Sequence, residues 1–460
     1  MVRTRLAASP TGYPHIGTIY QALFNYAFAK KHKGRFILRI EDTDRNRFVE
    51  GSEEVIFDSL KWFGLTADEG PLSGGEYNPY RQSERLEIYH KYAAELLEKG
   101  YAFYSYFPKK DAGQKKIYTS EKNQKSTDLT DQDRPASLKE MIERGDWVVR
   151  LKVPKNEKIT FKDEIRGEIT FDTSEVTEQV LIKSDGFPTY HLAVVVDDQL
   201  MKISHIVRAE EWLSSTPKHV LLYRYFNWEM PPIYHTATLR NPDKSKLSKR
   251  HGHTSVLWFK EQGFLPVAIL NFLALLGWSH PEEKEIFSLD EFIKLFDLKD
   301  IRPVAPIFDL VKLRWMNQQY IQNSTDEELE KLILDFNPNA AKLPEETLRN
   351  LIPLLKSRME TLSDFEPLTE MFFDKFEVVE FDDTEKSIIP ELVTGFRTVK
   401  EWSHENIFKV IKEIMLHQKV RMPVFYKLMT GRTRGLPLPE ALEIYSKEKS
   451  LKRLEKINKL

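Results

Sequence analysis

No cysteine occurs in the 460 residues. That absence excludes disulfides, cysteine nucleophiles and thiolate metal centres. Long apolar runs are missing as well. The longest, Ala268 to Trp278, is about half the ~20 residues of a membrane-spanning helix and reads as a buried helix. No apolar leader opens the chain, because Arg3 and Arg5 lead straight into a strand pattern. A cytoplasmic protein without a membrane partner is expected. An excess of either charge is also lacking: 68 Lys and Arg face 70 Asp and Glu, a net charge of −2. Any nucleic-acid contact must therefore come from local patches. Internal repeats are absent. The length exceeds one ordinary core, so roughly two to four domains are expected.

What is present begins with a βαβ pattern. Val2 to Ala7 alternates as a short strand, and Ala7 to Thr18 is a Gly/Pro loop. Ile16, Ile19, Tyr20, Leu23, Phe24, Ala27 and Phe28 then fall on one helical face, with a stop expected near Lys33-Gly34. Phe36 to Ile40 reads as a second strand with Glu41-Asp42 at its carboxyl end. Such a loop presents backbone N–H groups and a positive helix end to a phosphate, at the carboxyl ends of the strands where open α/β sheets bind ligands. Glu53 to Phe63 and Gln82 to Gly100 read as helices covering a parallel sheet.

Further on, Pro108 to Arg134 is polar and lysine-rich and reads as a long exposed insertion. Asp146 to Val153, Ile159 to Phe171 and Gln179 to Lys183 are short alternating runs of an antiparallel α+β insert. The sheet resumes at Ile203 to Arg208, and Ser215-Thr216-Pro217 opens a helix with a cap and an N1 proline. Beyond Asn323 the pattern is helical. Met359 to Glu391 carries 11 acidic and 2 basic residues, whereas Lys400 to Leu460 carries 14 basic and 7 acidic ones.

His15-Ile16-Gly17-Thr18 together with Lys246-Leu247-Ser248-Lys249-Arg250 resembles the "HIGH" and "KMSKS" signatures of class I aminoacyl-tRNA synthetases. The flanks narrow the resemblance to the bacterial-type glutamyl-tRNA synthetase family. They are Ser9 to Gly12, Arg39 to Asp44, Tyr80 to Arg85, Asp185 to Ala193 and Glu210-Glu211-Trp212. Ordered motifs at family spacing cover essentially the whole chain. The resemblance implies an α/β fold: a Rossmann-type nucleotide-binding domain in two halves (1–100 and 180–244), with an α+β acceptor-stem insertion (101–179). It further implies a helical connector bearing the KMSKS-like loop (245–322) and an all-α anticodon-binding region (323–460).

The implied reaction is activation of L-glutamate by ATP, then transfer to the terminal adenosine of tRNA(Glu), with tRNA(Gln) left open as a second acceptor. Mg²⁺ would accompany the triphosphate, which supplies most of its ligands. Activation is in-line attack of a carboxylate on the α-phosphorus, so positioning and charge stabilisation carry catalysis. By family position, His15, Lys246 and Lys249 are the catalytic residues. Ser9, His15, Gly17, Glu211, Trp212, Lys246, Ser248 and Lys249 would line the ATP site. Arg5 and Arg208 would read glutamate's side-chain carboxylate, a pairing suited to guanidinium. Glu41 would answer the α-ammonium, and Ser9 and Tyr190 complete the amino-acid site. Arg358, Arg432 and Arg434 are tRNA candidates. The family suggests a monomer.

The chain departs from the family pattern in places. A zinc site of relatives falls on Ser105-Tyr106-Phe107, residues unsuited to zinc, so neither zinc nor another protein-held metal is expected. Val194 replaces an asparagine that helps bind glutamate, Ala209 replaces a glycine, and Ile19-Tyr20-Gln21 replaces Ala-Arg-Thr. A glutaminyl-tRNA synthetase would have β-barrels in place of the helical tail. An enzyme that glutamylates a modified tRNA base would lack residues 323–460. A non-catalytic paralogue would not keep His15, Lys246 and Lys249 together.

Overall fold

The computed structural model describes residues 1–107, 133–247, 254–373 and 380–457. Contacts divide the chain into one unit of Met1–Trp258 with Leu270–Asp309, and a second of Phe259–Ile269 with Leu310–Leu460.

In the first unit, strand β1 (Arg3–Ala8) runs parallel to β2 (Arg35–Ile40), in register from Arg3 opposite Arg35 to Ala8 opposite Ile40. Helix α1 (Ile16–Lys31) joins them and buries the apolar face expected from its spacing. It stops at Lys31, with Lys33 rather than Gly34 in the left-handed region at φ 52°. Gly34 is needed for a different reason, since a Cβ there would lie 2.2 Å from the Val2 carbonyl oxygen. Helix α2 (Ser52–Trp62) follows. The stretch expected as one helix from Gln82 is a 3-10 turn, Gln82–Glu84, followed by α3 (Leu86–Glu98). The break arises where Gln82 and Arg85 both turn inward to bond Asp197 at 2.9 and 2.8 Å.

Strand β3 (Ala102–Tyr106) leads to helix α4 (Leu138–Arg144), which lies outside every element expected from sequence. Strand β4 (Trp147–Leu151) pairs antiparallel with β3 on one side and with β7 (Val180–Ile182) on the other. Strands β5 (Lys158–Asp163) and β6 (Gly167–Asp172) form a hairpin. That hairpin extends the parallel pair β8 (Ile206–Ala209) and β9 (Ile233–Thr236), giving the order β6-β5-β9-β8. Sheet pairing thus runs across the 179/180 boundary drawn from sequence. Helix α5 (Tyr190–Leu200) precedes β8, and α6 (Thr216–Phe226) lies between β8 and β9. Ser215 makes no capping bond, because a 3-10 turn over Glu210–Ser215 feeds directly into α6. The β1 and β8 ends are tied by the Ser204 N–H, which donates to the Arg3 carbonyl at 2.9 Å.

The second unit is helical, with no strand among its described residues. Its core joins Leu329, Ile333, Leu351, Leu355, Ile388, Leu392, Ile407, Ile411, Phe425, Leu428 and Leu454. Each buried aliphatic side chain contributes ~1.5–3 kcal/mol relative to exposure. Capping boxes start the helices Asp326–Phe336 (Thr325 with Glu328) and Asp383–Thr398 (Asp382 with Glu385), meeting N–H groups that have no partner within the helix.

Candidate active site

The carboxyl ends of β1, β2 and β8 and the start of α1 enclose a cavity of about 770 Å³. Arg5, Ser9, His15, Gly17, Glu41, Tyr190, Arg208, Glu211, Trp212 and Lys246 all line it. Residues as far apart in sequence as Arg5 and Lys246 are therefore brought together. Ser248 and Lys249 lie outside the described residues. Arg358, Arg432 and Arg434 belong to the second unit.

His15 is the N-cap of α1, and its Nδ1 accepts the Gly17 N–H at 3.0 Å. A ring that accepts at Nδ1 carries its proton on Nε2 when neutral. A Cβ at Gly17 would lie 3.1 Å from Nδ1, so glycine keeps the cap geometry open. The segment after the KMSKS-like loop is pinned here: the Ile16 N–H donates to the Thr254 carbonyl at 2.8 Å and the Val256 N–H to that of Pro14 at 3.1 Å. Before the loop, the Asp243 carboxylate accepts from the Ser245 N–H and hydroxyl, and the Leu247 N–H donates to the Leu239 carbonyl. Lys246 forms an exposed ion pair with Glu211. Exposed pairs are worth ~0–1 kcal/mol, so a phosphate can take Lys246 at small cost. Trp212 lies across Tyr190, ring centroids 4.2 Å apart.

The cavity floor is a buried charge network. Arg5 grips Asp198 with two N–H groups, at 3.0 and 3.1 Å. Arg39 bonds the same carboxylate at 2.7 Å and Glu41 at 3.0 Å. Burial alone would lift Asp198, but Arg5 and Arg39 outweigh it and hold this carboxyl below the usual range. At Glu41 burial wins, and the carboxyl is pushed up despite Arg39 and Arg5. Arg5, expected to read a ligand carboxylate, lines the cavity and is paired there with Asp198.

Arg208 differs. Its Nε donates to His235 Nε2 at 3.0 Å, Nη1 to His219 Nδ1 at 3.0 Å and to the Tyr190 hydroxyl at 3.3 Å, and Nη2 to Thr216 Oγ1 at 2.9 Å. Burial pushes both histidines down, His219 furthest, so both are neutral acceptors. Among the described residues Arg208 has no carboxylate partner. Its buried charge meets only neutral acceptors there.

Sequence reasoning did not single out Asp198, Arg39, His219 or His235. Arg39 stood inside a quoted motif and Asp197-Asp198 lies a few residues beyond another, but only the fold shows that they meet. The substitutions at 20 and 21 do reach the cavity. The Tyr20 hydroxyl is buried there without a hydrogen-bond partner among the described residues, and Gln21 Nε2 donates to Thr236 Oγ1 at 2.6 Å. Val194 instead packs in the core of α5 and does not line the cavity. Ser105 sits in β3 opposite Val148. Among the described residues no group of three or more His, Cys, Asp or Glu side chains could hold a metal ion.

Residues 1–315 match the model for the catalytic domain of class I tRNA synthetases (E and Q), and residues 318–458 match an anticodon-binding domain. The chain therefore belongs to the class I tRNA synthetases of the glutamate and glutamine branch. Glutamate–tRNA ligase of Thermus thermophilus is 44% identical, with 99% of both chains covered. That of Fusobacterium nucleatum is 40% identical over 100% of this chain and 97% of the relative. A solved glutamate–tRNA ligase of Elizabethkingia meningosepticum, in complex with its amino acid, superposes with a TM-score of 0.81 at 34% identity. It covers 100% of this chain and 99% of that one. Within the branch, the chain is a member of the glutamate–tRNA ligase family.

Proposed function

We propose that the chain activates L-glutamate with ATP, forming glutamyl-AMP and pyrophosphate, and transfers glutamate to the terminal adenosine of tRNA(Glu). The observation that carries this reading is Arg208, a buried cation without a carboxylate partner among the described residues, in one cavity with His15, Gly17 and Lys246. Arg208 would pair with the side-chain carboxylate, while Arg5 shapes the floor through Asp198. Glu41 would hold the α-ammonium. Ser9 and Tyr190 would frame the amino acid. The attacking α-carboxylate would then face the α-phosphorus, with His15 Nε2–H donating as charge develops. Lys246, Ser248 and Lys249 would neutralise the departing pyrophosphate, and Glu211 and Trp212 would border the adenine and ribose.

Mg²⁺ would arrive with ATP as part of the substrate. Its ligands would be mostly phosphate oxygens and water. Monomeric state, cytoplasmic location and tRNA contacts by Arg358, Arg432 and Arg434 follow from the family resemblance.

The test is ATP–pyrophosphate exchange in the presence of tRNA(Glu). Exchange that depends on glutamate and not on glutamine is expected, and exchange with glutamine alone would overturn the reading. Charging of tRNA(Gln) is read in the same assay with that tRNA.

A further inference from the structure

We propose that His235 and Asp163 are positioning residues that hold Arg208 in one orientation without matching its charge, and so set the preference for a carboxylate over a carboxamide side chain. The inference rests on reading this cavity as the glutamate site.

Asp163 ends β5, and His235 lies on β9 directly opposite Arg208 of β8. Asp163 and His235 are wholly buried. The Asp163 carboxylate accepts the backbone N–H groups of Ile165 and Arg166 at 3.0 and 2.8 Å. It also accepts the backbone N–H of His235 at 3.2 Å and meets His235 Nδ1 at 2.6 Å. Guanidinium nitrogens can only donate, so His235 Nε2, 3.0 Å from Arg208 Nε, must be an acceptor. The imidazole proton therefore sits on Nδ1 and is given to Asp163. Asp163 fixes that tautomer.

The same logic fixes the other side. Arg208 Nη1 donates to His219 Nδ1, so the proton of His219 lies on Nε2, which meets His191 Nδ1 at 3.1 Å. Arg208 is thus aimed from two sides by imidazoles that accept hydrogen bonds but carry no charge. A carboxylate in direct contact would have neutralised it, as Asp198 does Arg5. Placed one imidazole away, Asp163 supplies rigidity and leaves the guanidinium charge to the ligand. A glutamine amide offers that cation only one acceptor and no charge, and is the poorer partner.

The test compares three full-length variants with the wild type in pyrophosphate exchange with tRNA present. In H235N the amide nitrogen takes the place of Nδ1 and keeps the bond to Asp163, but nothing reaches Arg208. In H235Q the amide oxygen takes the place of Nε2 and keeps the bond to Arg208. In D163N one acceptor becomes a donor, which removes the partner of either His235 or the turn. H235N and D163N are expected to raise the glutamate KM about tenfold, the loss of one charge-assisted hydrogen bond. The ATP KM should hold, and the glutamate-to-glutamine ratio of kcat/KM should fall. H235Q should lie between them and the wild type. An unchanged glutamate KM in H235N, or equal rises for glutamate and ATP in all three variants, would overturn the assignment. A wild type that exchanges without glutamate would instead overturn the reading of the cavity, before any variant is compared.

Discussion

Glu41 and Asp198 share one arginine, Arg39, yet are driven in opposite directions. Asp198 takes three charge-assisted hydrogen bonds from two guanidinium groups and stays ionised. Glu41 has Arg39 as its ion-pair partner and is pushed up by burial. A raised carboxyl is protonated over part of the acidic range, and an ammonium ligand binds only its ionised form. Glutamate affinity should therefore fall as pH drops through the raised pKa of Glu41, and the Glu41→Gln variant should lose that dependence along with most affinity. A wild-type glutamate KM flat from neutral to mildly acidic pH would count against this role. In the free protein the same shift has the reverse sign. The folded state holds the proton more tightly, so this group's stabilisation is greatest below the ordinary carboxyl pKa and is lost as pH rises through the raised one.

The start of α1 shows why an element can be read from sequence while the purpose of its residues cannot. Spacing located the helix to within two or three residues, because an apolar stripe has a period. It could not show that Gly17 faces the His15 ring or that Gly34 faces the Val2 carbonyl, since both are contacts across a turn. The break before α3 and the bare Ser215 have the same origin: tertiary partners overrode local preference. Gly17→Ala separates the two roles of this position. Alanine favours the helix by ~0.8–1 kcal/mol, while a crowded cap loses ~0.5–2 kcal/mol. The two nearly cancel, so Tm should move little. Displacing His15 by a few tenths of an ångström should still lower turnover on the order of tenfold, given that a 1 Å misplacement costs ~10²-fold. Single-turnover activation beside a thermal melt checks it, and a large fall in Tm with normal turnover would show that Gly17 serves folding alone.

For the molecule as a whole, near-zero net charge conceals a division that the sequence shows and the structure refines. The basic excess lies in Lys400 to Leu460, but its arginines are not equivalent. Arg432 is half-buried and bonds both oxygens of Glu370, at 3.0 and 2.9 Å. Arg434 and Arg358 are exposed, and neither has a carboxylate partner among the described residues. Local counting could not separate them, because the acidic partner lies 62 positions upstream. The same limit applied to Arg5 and Arg208, where family position named both but only the fold showed which charge is already matched. If the helical unit meets tRNA phosphates, Arg434→Ala and Arg358→Ala should each weaken binding and lower the slope of log affinity against log salt by about one. Arg432→Ala should leave that slope alone and lower stability by up to ~1 kcal/mol, as befits a partly exposed ion pair. Filter binding over a salt series reads the first effect and urea unfolding the second. A slope that falls with Arg432→Ala and not with Arg434→Ala would mean that Glu370 releases its arginine to the RNA, and that this ion pair is remade on binding.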